Sequence, residues 1–207
     1  MLARIASMSD PAPLRVLLAD DEDTARALLV DLLTSRGFVV VAEVAGGRDA
    51  VAQAAVHRPD VVLLDVHMPD ISGIEAAREI AVANPETAIV LFTGDETVSL
   101  RDDELAYVVT LLDKMTSPRH LESNLRVAVE RTRTLTQSRR EATDAKQALE
   151  DRKRIERAKG ILMKRTGCSE QDAYKILQRT SQDRSQPMVA IAQAVLDSEP
   201  GLTAGQR

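Results

Sequence analysis

Residues 61–73, VVLLDVHMPDISG, carry the strongest structural signal in this chain of 207 residues. An apolar run ends there at Asp65, and a turn-forming segment then leads into the helical pattern GIEAAREIA. Three other apolar runs, VLLA, IVLF and VVTLLD, also end at residues that carry acid, hydroxyl or ammonium groups. Such runs predict buried parallel strands whose carboxyl ends meet at one edge of a sheet. The residues at these strand ends are Asp20, Asp21, Asp65, Thr93 and Lys114.

The chemistry of these side chains favours phosphoryl transfer. Carboxylates brought together repel one another, and a divalent cation relieves the repulsion, so Asp20, Asp21 and Asp65 suit Mg²⁺. Asp65 stands alone at its strand end and can act as a nucleophile toward a phosphoryl donor. The Thr93 hydroxyl and the Lys114 ammonium can then bind phosphoryl oxygens.

Residues of about 14–130 resemble the receiver domain of two-component response regulators. The family pattern joins an acidic pair, a phosphoacceptor aspartate in D-x-x-M-P-x-x-x-G, a threonine or serine, and a lysine, and the chain has DVHMPDISG from Asp65. The resemblance implies a flavodoxin-like, doubly wound α/β fold with a five-stranded parallel sheet, and phosphorylation of Asp65 by a cognate sensor histidine kinase. It also implies that Asp21, Asp65 and the backbone carbonyl of His67 hold Mg²⁺, with Asp20 assisting.

Two positions depart from the family pattern. Receivers usually have proline after the lysine and an aromatic residue three positions before it, whereas this chain has Met115 and Leu111. We therefore expect an intact acceptor site and a remodelled surface around the fifth strand.

Charge divides the chain into two unlike parts. Residues 1–117 contain 9 Lys and Arg against 20 Asp and Glu, whereas residues 118–207 contain 18 against 12. A basic C-terminal part favours a polyanionic partner, although a charged helix pair that binds nothing has the same composition. The chain has no apolar stretch that could span a bilayer, no secretory signal and one cysteine, Cys168, so we expect it in the cytoplasm, away from membranes.

The segment between these parts has no glycine or proline from Arg119 until Gly160. The last receiver helix is therefore predicted to continue into one long exposed helix. Apolar residues spaced by seven favour a weak coiled coil, and hence a homodimer promoted by phosphorylation, but the polar residues between them also fit a solvated spacer helix. The apolar set is Leu121, Ala128, Leu135, Ala142 and Leu149.

A basic stripe follows on the same helix. At 100° per residue, Ile155, Ala158 and Leu162 share one face, and the opposite face carries Gly160 among basic residues. An exposed glycine within a helix costs about 1 kcal/mol relative to alanine. Either a partner molecule or a packed helix of this chain is therefore expected to approach the backbone at Gly160. The basic residues of this stripe are Lys153, Arg157 and Lys164.

Two shorter helices are predicted after Gly167, which ends the long helix, and Ser169 is expected to cap the first of them. Tyr174 lies at the edge of the resulting small core, where it can stack on an unpaired base or merely seal the core. The residues expected to face that core are Ala173, Ile176 and Leu177 of the first helix and Met188, Val189, Ala192 and Leu196 of the second, about residues 187–197.

Residues of about 140–198 resemble the ANTAR domain, an RNA-binding output module of bacterial regulators. Its hallmark sequences are present as AKGILM at 158–163 and AYKIL at 173–177, while TSQD at 180–183 replaces the more usual apolar pair. The resemblance implies transcription antitermination, in which two such modules bind the paired hairpin loops of a nascent leader RNA. The expected RNA contacts are Arg157, Lys159, Gly160, Lys164, Arg165 and Tyr174.

Other functions fit parts of the sequence. An Mg²⁺-dependent phosphatase uses a similar aspartyl nucleophile but needs a second acid two residues on, where this chain has His67, so we do not expect an enzyme. A DNA-binding response regulator is an alternative, because three short basic helices also describe helix-turn-helix modules. A dimerising adaptor without a nucleic acid partner is a further one.

The expected domain organisation follows from these observations. It consists of a flexible N-terminus at 1–13, a receiver domain at 14–130, a helical coiled-coil linker at 131–150, a three-helix ANTAR domain at 151–198 and a flexible tail at 199–207.

Overall fold

The computed structural model describes residues 12–95 and 97–198. The tail predicted at 199–207, and all but the last two residues of the N-terminus predicted at 1–13, lie outside the described residues. The elements in chain order are β1 (Arg15–Ala19), α1 (Asp23–Ser35), β2 (Val39–Val44), α2 (Gly47–His57), β3 (Val61–Asp65), α3 (Gly73–Ala83), β4 (Ala88–Thr93), β5 (Thr110–Asp113), α4 (Pro118–Thr166), α5 (Glu170–Asp183) and α6 (Met188–Asp197).

The five strands form one parallel sheet in the order β2-β1-β3-β4-β5, which confirms the predicted doubly wound fold. Side chains alternate along each strand, so Leu18 and Leu63 enter a core with α1 and the start of α4. Leu17 and Leu64 enter the core on the other face, which α2 and α3 cover. The strand order reverses between β1 and β3, and this reversal opens a crevice at their carboxyl ends.

The connection from β4 to β5 differs from the other crossovers. Each earlier crossover contains a helix of 11 or 13 residues, whereas the described residues 94–95 and 97–109 contain a 3₁₀ turn of 3 residues, Glu104–Ala106, as their regular structure. The buried Glu104 carboxylate holds this segment by accepting hydrogen bonds from the Arg101 N–H at 2.8 Å and from its guanidinium. Irregular backbone therefore covers the sheet next to β5.

The long helix α4 runs unbroken through 49 residues, which confirms the predicted continuation of the last receiver helix. The predicted coiled-coil seam is wrong in its first half, because Leu121 and Ala128 are buried in the core beside the sheet. A spacing of seven residues also places side chains on the core face of an amphipathic helix, so the pattern alone could not separate the two uses. Leu135 and Leu149 are 52% and 54% exposed, so an exposed seam begins only at Leu135.

The chain divides into two compact units, Met1–Gln137 and Ser138–Arg207, and the second has a small core of its own. The long helix ends as predicted: Gly167 has a φ of 70°, its N–H donates to the Met163 carbonyl, and the Ser169 hydroxyl accepts the Asp172 N–H. The core residues are Ala158, Leu177, Ile191 and Ala192, with Ile155, Leu162, Met188 and Val195 packed against them.

Three expectations about this small core are wrong. Ile176 is 42% exposed, because Ala173 and Leu177, four residues apart, already define the inward face of α5. Val189 and Leu196 lie outside the apolar cluster, and α6 instead buries residues spaced by three and four from its first residue. Pro187 is the N-cap of α6. None of the described helices is long and apolar enough to cross a bilayer.

Candidate functional site

The carboxyl edge of the sheet brings the predicted acids together. Asp20 follows β1 and Asp65 ends the neighbouring β3, and both side chains are buried, whereas Asp21 is exposed. Oxygen atoms of the three carboxylates all lie within 4.8 Å of one another. Hard oxygen ligands at this spacing, open to solvent on the Asp21 side, fit Mg²⁺, which keeps water molecules in its octahedral shell.

Lys114 lies between the two buried acids. Its Nζ is 2.7 Å from Oδ2 of Asp20 and 2.8 Å from Oδ2 of Asp65. Burial disfavours the charged ammonium, but the contacts with Asp20 and Asp65 outweigh it and raise the pKa of Lys114. The lysine is therefore charged at neutral pH and stands next to the oxygen that would take up a phosphoryl group.

Thr93 completes the group at the end of β4 and is buried there. Its Oγ1 accepts the N–H of Asp95 at 3.1 Å, and its backbone carbonyl accepts the N–H of Lys114 at 2.8 Å. A hydroxyl that accepts one hydrogen bond still has its own hydrogen to donate. All five predicted strand-end residues, Asp20, Asp21, Asp65, Thr93 and Lys114, thus meet at one sheet edge.

Asp95 lies at this edge and was missed by the sequence reasoning. Its Oδ1 accepts hydrogen bonds from the hydroxyl and the N–H of Thr97, which lower the pKa of Asp95. Its Oδ2 lies 3.4 Å from Nε2 of His67. Both residues stand two positions after a strand-end residue, and that spacing is the signal that could have found the pair. The His67 N–H donates to Oδ1 of Asp65 at 3.2 Å, while its carbonyl as a metal ligand stays a prediction.

The turn after Asp65 explains the glycine of the D-x-x-M-P-x-x-x-G pattern. A Cβ on Gly73 would lie 2.0 Å from the backbone oxygen of Asp65, so no larger residue fits without moving the acceptor strand. The Gly73 N–H donates to the Val66 carbonyl at 2.9 Å. Ser72 and Glu75 then form a capping box that starts α3. The turn therefore packs closely against the backbone of Asp65.

Asp70 in the same turn has a structural role that the sequence reasoning also missed. Its two carboxylate oxygens accept the N–H groups of Gly47 and Arg48, both at 2.8 Å. These two groups are unpaired donors at the start of α2, so Asp70 caps a helix more than 20 residues away along the chain. The backbone hydrogen bonds, with that of Arg48 first, lower the pKa of Asp70 to about 2.

The C-terminal unit places Gly160 and Tyr174 in exposed positions. A Cβ built on Gly160 meets no described atom within 4 Å outside the neighbouring helix backbone. Packing of another part of the described chain against Gly160, one of the two explanations for this glycine, is therefore absent. Tyr174 is 44% exposed and lines a pocket on α5, which fits an accessible ring better than a core seal.

Lys159 does not have the exposed position expected of an RNA contact. Its side chain is 9% exposed, and its Nζ lies 2.8 Å from Glu156 and 2.7 Å from Glu170. The contacts with Glu156 and Glu170 raise the pKa of Lys159. Because Glu170 is in the first turn of α5, this lysine fastens α5 to α4. The sequence did not reveal this role, because Glu170 lies on another helix and its pairing with Lys159 cannot be read from spacing.

The remaining predicted contacts are exposed. Arg157 and Lys164 are exposed on α4, and Arg165 is exposed with its guanidinium donating to the Ser198 hydroxyl at 3.0 Å. Arg157, Gly160 and Lys164 are three and four residues apart and therefore share one side of the helix. The structure thus brings together Arg157, Gly160 and Lys164 and sets Lys159 apart as a structural residue.

Two family models match the chain. The response regulator receiver domain matches residues 16–126, and the ANTAR domain matches residues 143–196. The chain belongs to the response regulators that join a receiver domain to an ANTAR domain.

Curated relatives extend this result to the whole chain. It is 37% identical to the transcriptional regulatory protein PdtaR of Mycobacterium tuberculosis over 186 residues, which cover 90% of this chain and 91% of that protein. It is also 47% identical over 51 residues to the nitrate regulatory protein of Klebsiella oxytoca, a match that covers 25% of this chain and 13% of that protein.

Solved structures support the receiver fold. The signal receiver domain of the response regulator NarL from Mycobacterium tuberculosis has a TM-score of 0.52 at 24% identity and covers 59% of this chain and 98% of that chain. The CheX-CheY-BeF3-Mg+2 complex from Borrelia burgdorferi has a TM-score of 0.51 at 25% identity and covers 55% and 87%.

Proposed function

We propose that the chain is a phosphorylation-dependent regulator that binds hairpin loops of nascent leader RNA and promotes transcription antitermination. The observation that carries the first half is the contact of Lys114 with both Asp20 and Asp65 at the sheet edge. The observation that carries the second half is the exposed Gly160 and Tyr174 beside basic residues in an ANTAR domain. We place this activity in the cytoplasm, where leader transcripts are made.

Phosphorylation is proposed at Asp65. A carboxylate oxygen of Asp65 attacks the phosphorus of a phosphohistidine on the sensor kinase, the P–N bond breaks as the P–O bond forms, and the imidazole leaves. Lys114 moves from its two carboxylates onto a phosphoryl oxygen, and the Thr93 hydroxyl donates to another. The new group adds nearly two negative charges at a site held by these side chains, so their positions shift.

Mg²⁺ is proposed at the same edge, held by Asp20, Asp21, Asp65 and the backbone carbonyl of His67. The bound ion supplies charge neutralisation for the acids and for the incoming phosphoryl oxygens. The separation of the carboxylate oxygens supports this assignment. A second support is the Borrelia CheX-CheY complex, a structure of the same fold that contains BeF3 and Mg.

RNA binding is proposed for the exposed side of the C-terminal unit. Arg157, Lys164 and Arg165 can neutralise phosphates, and the Tyr174 ring can stack on an unpaired base. At Gly160, the missing side chain lets a sugar or phosphate approach the helix backbone. A homodimer formed along the exposed Leu135, Ala142 and Leu149 would present two such units to two hairpins.

The phosphoryl half is tested with the purified chain and radiolabelled acetyl phosphate or a phosphorylated histidine kinase. We expect Mg²⁺-dependent label on the wild type and none on Asp65→Asn. Asp60→Asn is the matched control, because Asp60 is an aspartate at the opposite end of β3. Label that persists on Asp65→Asn would refute the assignment of the acceptor.

The RNA half is tested by titrating a two-hairpin RNA and a duplex DNA of equal charge across a range of salt concentrations. Gly160→Ala is the sharpest variant, since it gains about 1 kcal/mol of helix stability and removes the close approach. We expect weaker RNA binding by a more stable protein. If the wild type prefers duplex DNA, the DNA-binding alternative is favoured. If it binds neither the RNA nor the DNA, an adaptor function is favoured.

A further inference from the structure

A row of basic side chains runs along one side of α4 within the C-terminal unit. At about 100° per residue, its members Arg139, Lys146, Arg157 and Lys164 lie within about 20° of one direction around the helix axis. All four side chains are exposed. At a rise of about 1.5 Å per residue, this basic row is about 37 Å long from Arg139 to Lys164.

The basic row differs in its pairing from neighbouring cations of the same helix. Lys153 pairs with Glu150 at 2.8 Å, and Arg154 pairs with Asp151 at 3.3 Å, each with an acid three residues before it. Among the residues that the structure describes, no ion pair involves any of the four members of the basic row. Their charges are therefore balanced by solvent alone in the isolated chain.

The sequence explains why these charges stay unpaired. No residue three or four positions away from Arg139, Arg157 or Lys164 is acidic, and these are the spacings at which side chains of a helix meet. The one acid at such a spacing from Lys146 is the glutamate that pairs with Lys153. A helix that needs charge only for solubility mixes both signs along its exposed faces. A row of one sign without counter-charges instead indicates an anionic partner.

The form of the basic row favours the phosphate backbone of an RNA stem. Residues 139–164 contain no aromatic side chain on which a base could stack, so the contacts offered here do not depend on base identity. Double-stranded RNA is recognised mainly through its shape and its phosphates. A hairpin whose loop lies beside Gly160 and Lys164 continues into a stem, and a stem is a straight rod of negative charge. The rod and the basic row are complementary in charge and in length.

We propose that Arg139 and Lys146 bind phosphates of the RNA stem, while the C-terminal end of the basic row contacts the RNA next to the loop. Arg139 precedes the segment that matches the ANTAR domain, so this contact extends the RNA surface beyond that domain. The proposal rests on the proposed RNA-binding function and adds a contact with the duplex part of the hairpin. RNA affinity should therefore depend on the length of the stem as well as on the loop.

The test uses the full chain and two two-hairpin RNAs with identical loops. One RNA has stems of about 40 Å, which reach Arg139 from Lys164, and the other has stems of about 20 Å, which end before Lys146. We expect the wild type to bind the long-stem RNA roughly 10-fold more tightly at physiological salt. Because each phosphate contact releases counterions, the slope of log affinity against log salt should be steeper by about 2 for the long stems.

Two double variants test whether the basic row causes this preference. Arg139→Gln/Lys146→Gln should bind both RNAs alike, with the affinity of the wild type for the short-stem RNA. The matched control Arg140→Gln/Arg152→Gln removes the same charge from the same helix at positions roughly 100° or more around the axis from the basic row, and it should keep the preference. Glutamine is a good helix former, and circular dichroism and sedimentation check the helix content and the oligomeric state of each variant.

The outcomes separate the two proposals. Equal binding of both RNAs by the wild type, or an unchanged preference for long stems in Arg139→Gln/Lys146→Gln, overturns the stem contact and leaves loop binding standing. Loss of the preference in the control variant as well also overturns it, because the effect would then come from net charge. Failure of the wild type to bind either RNA overturns the proposed function itself.

Discussion

Each of the two units contains a lysine held between two carboxylates, but the burial is reversed. At the sheet edge the acids are the buried partners: Asp20 and Asp65 are 1% and 7% exposed, whereas Lys114 is 23% exposed. In the C-terminal unit the lysine is the buried partner: Lys159 is 9% exposed, whereas Glu156 and Glu170 are 54% and 67% exposed.

This reversal distinguishes a cluster that can respond to a ligand from an ion-pair cluster that stabilises the packing of two helices. Buried acids retain an unfavourable charge that a cation or a rearrangement of Lys114 can relieve, so their cluster is poised to respond to a ligand. A buried lysine with solvated acids has its charge already satisfied, and a ligand gains little by displacing them. The same three-residue composition therefore buries two acids at the sheet edge in one unit and joins two helices in the other.

The largest expected effect tests whether the two units are also unequal in stability. Leu125→Ala and Leu177→Ala each remove a fully buried leucine, at a cost of about 2–5 kcal/mol. The C-terminal unit buries only six apolar residues among those described, whereas the cluster around Leu125 contains fifteen, so Leu177→Ala should unfold the C-terminal unit and Leu125→Ala should leave both units folded. Calorimetry that resolves one unfolding transition for each unit measures this difference. If both variants keep the two transitions and lower the affected one equally, the two units do not differ in stability as expected.

The next effect tests whether the ion pairs of Lys159 stabilise the C-terminal unit. Lys159→Glu places a third carboxylate beside Glu156 and Glu170, so the melting temperature of the C-terminal unit should fall by roughly 10 °C or more. Lys164→Glu is the matched control on the same helix, and it should weaken RNA binding without changing the melting temperature. If Lys159→Glu melted like the wild type, the lysine would not be structural.

A smaller effect is expected from Lys114→Met. Removal of the ammonium leaves Asp20 and Asp65 buried against each other, which should lower the melting temperature of the receiver unit by about 5 °C in EDTA. Saturating Mg²⁺ should restore most of the loss by replacing the lost positive charge. Thermal melts of the wild type and the variant with and without Mg²⁺ measure this rescue. If Mg²⁺ raises the melting temperature of the variant no more than that of the wild type, Mg²⁺ does not replace the Lys114 ammonium between Asp20 and Asp65.

The smallest effect is a pH dependence. The ion pair with Lys159 lowers the pKa of Glu170 from its ordinary value of 4.5. The folded state therefore gains stability from Glu170 above pH 4.5 and loses it as the pH falls through the lowered pKa. Between pH 7 and pH 3 the melting temperature of the C-terminal unit should fall less in Glu170→Gln than in the wild type. At pH 7 the variant should already have the lower melting temperature, because it lacks the ion pair. Parallel curves for the two proteins would show that the pair contributes nothing.

The sheet and its site were predictable from the sequence, because buried parallel strands reveal both their direction and their ends. Once four apolar runs each end in a reactive residue, the parallel fold must gather Asp65, Thr93 and Lys114 at one edge. The helix ends at Gly167 and Ser169 were equally readable, since each rests on local backbone geometry.

What could not be predicted depends on partners distant in the chain. Lys159 was expected to contact RNA because its partner Glu170 lies on another helix, and Asp70 looked like a turn former because the amides it caps belong to α2. The heptad-spaced residues of α4 could serve a coiled coil or a globular core, and only the packing of Leu121 and Ala128 distinguished them.

The two backbone segments next to the carboxyl ends of β3 and β4 differ in their structure: one is the turn at Gly73, and the other is the crossover at 94–109. On one side, Gly73 packs so closely on the backbone oxygen of Asp65 that a Cβ would lie 2.0 Å from it. On the other side, the described residues of the crossover, 94–95 and 97–109, contain a 3₁₀ turn of 3 residues in place of the α-helix of each earlier crossover. We therefore expect a rearrangement that begins at Asp65 to move Thr93 and the irregular backbone after it more than the closely packed turn at Gly73.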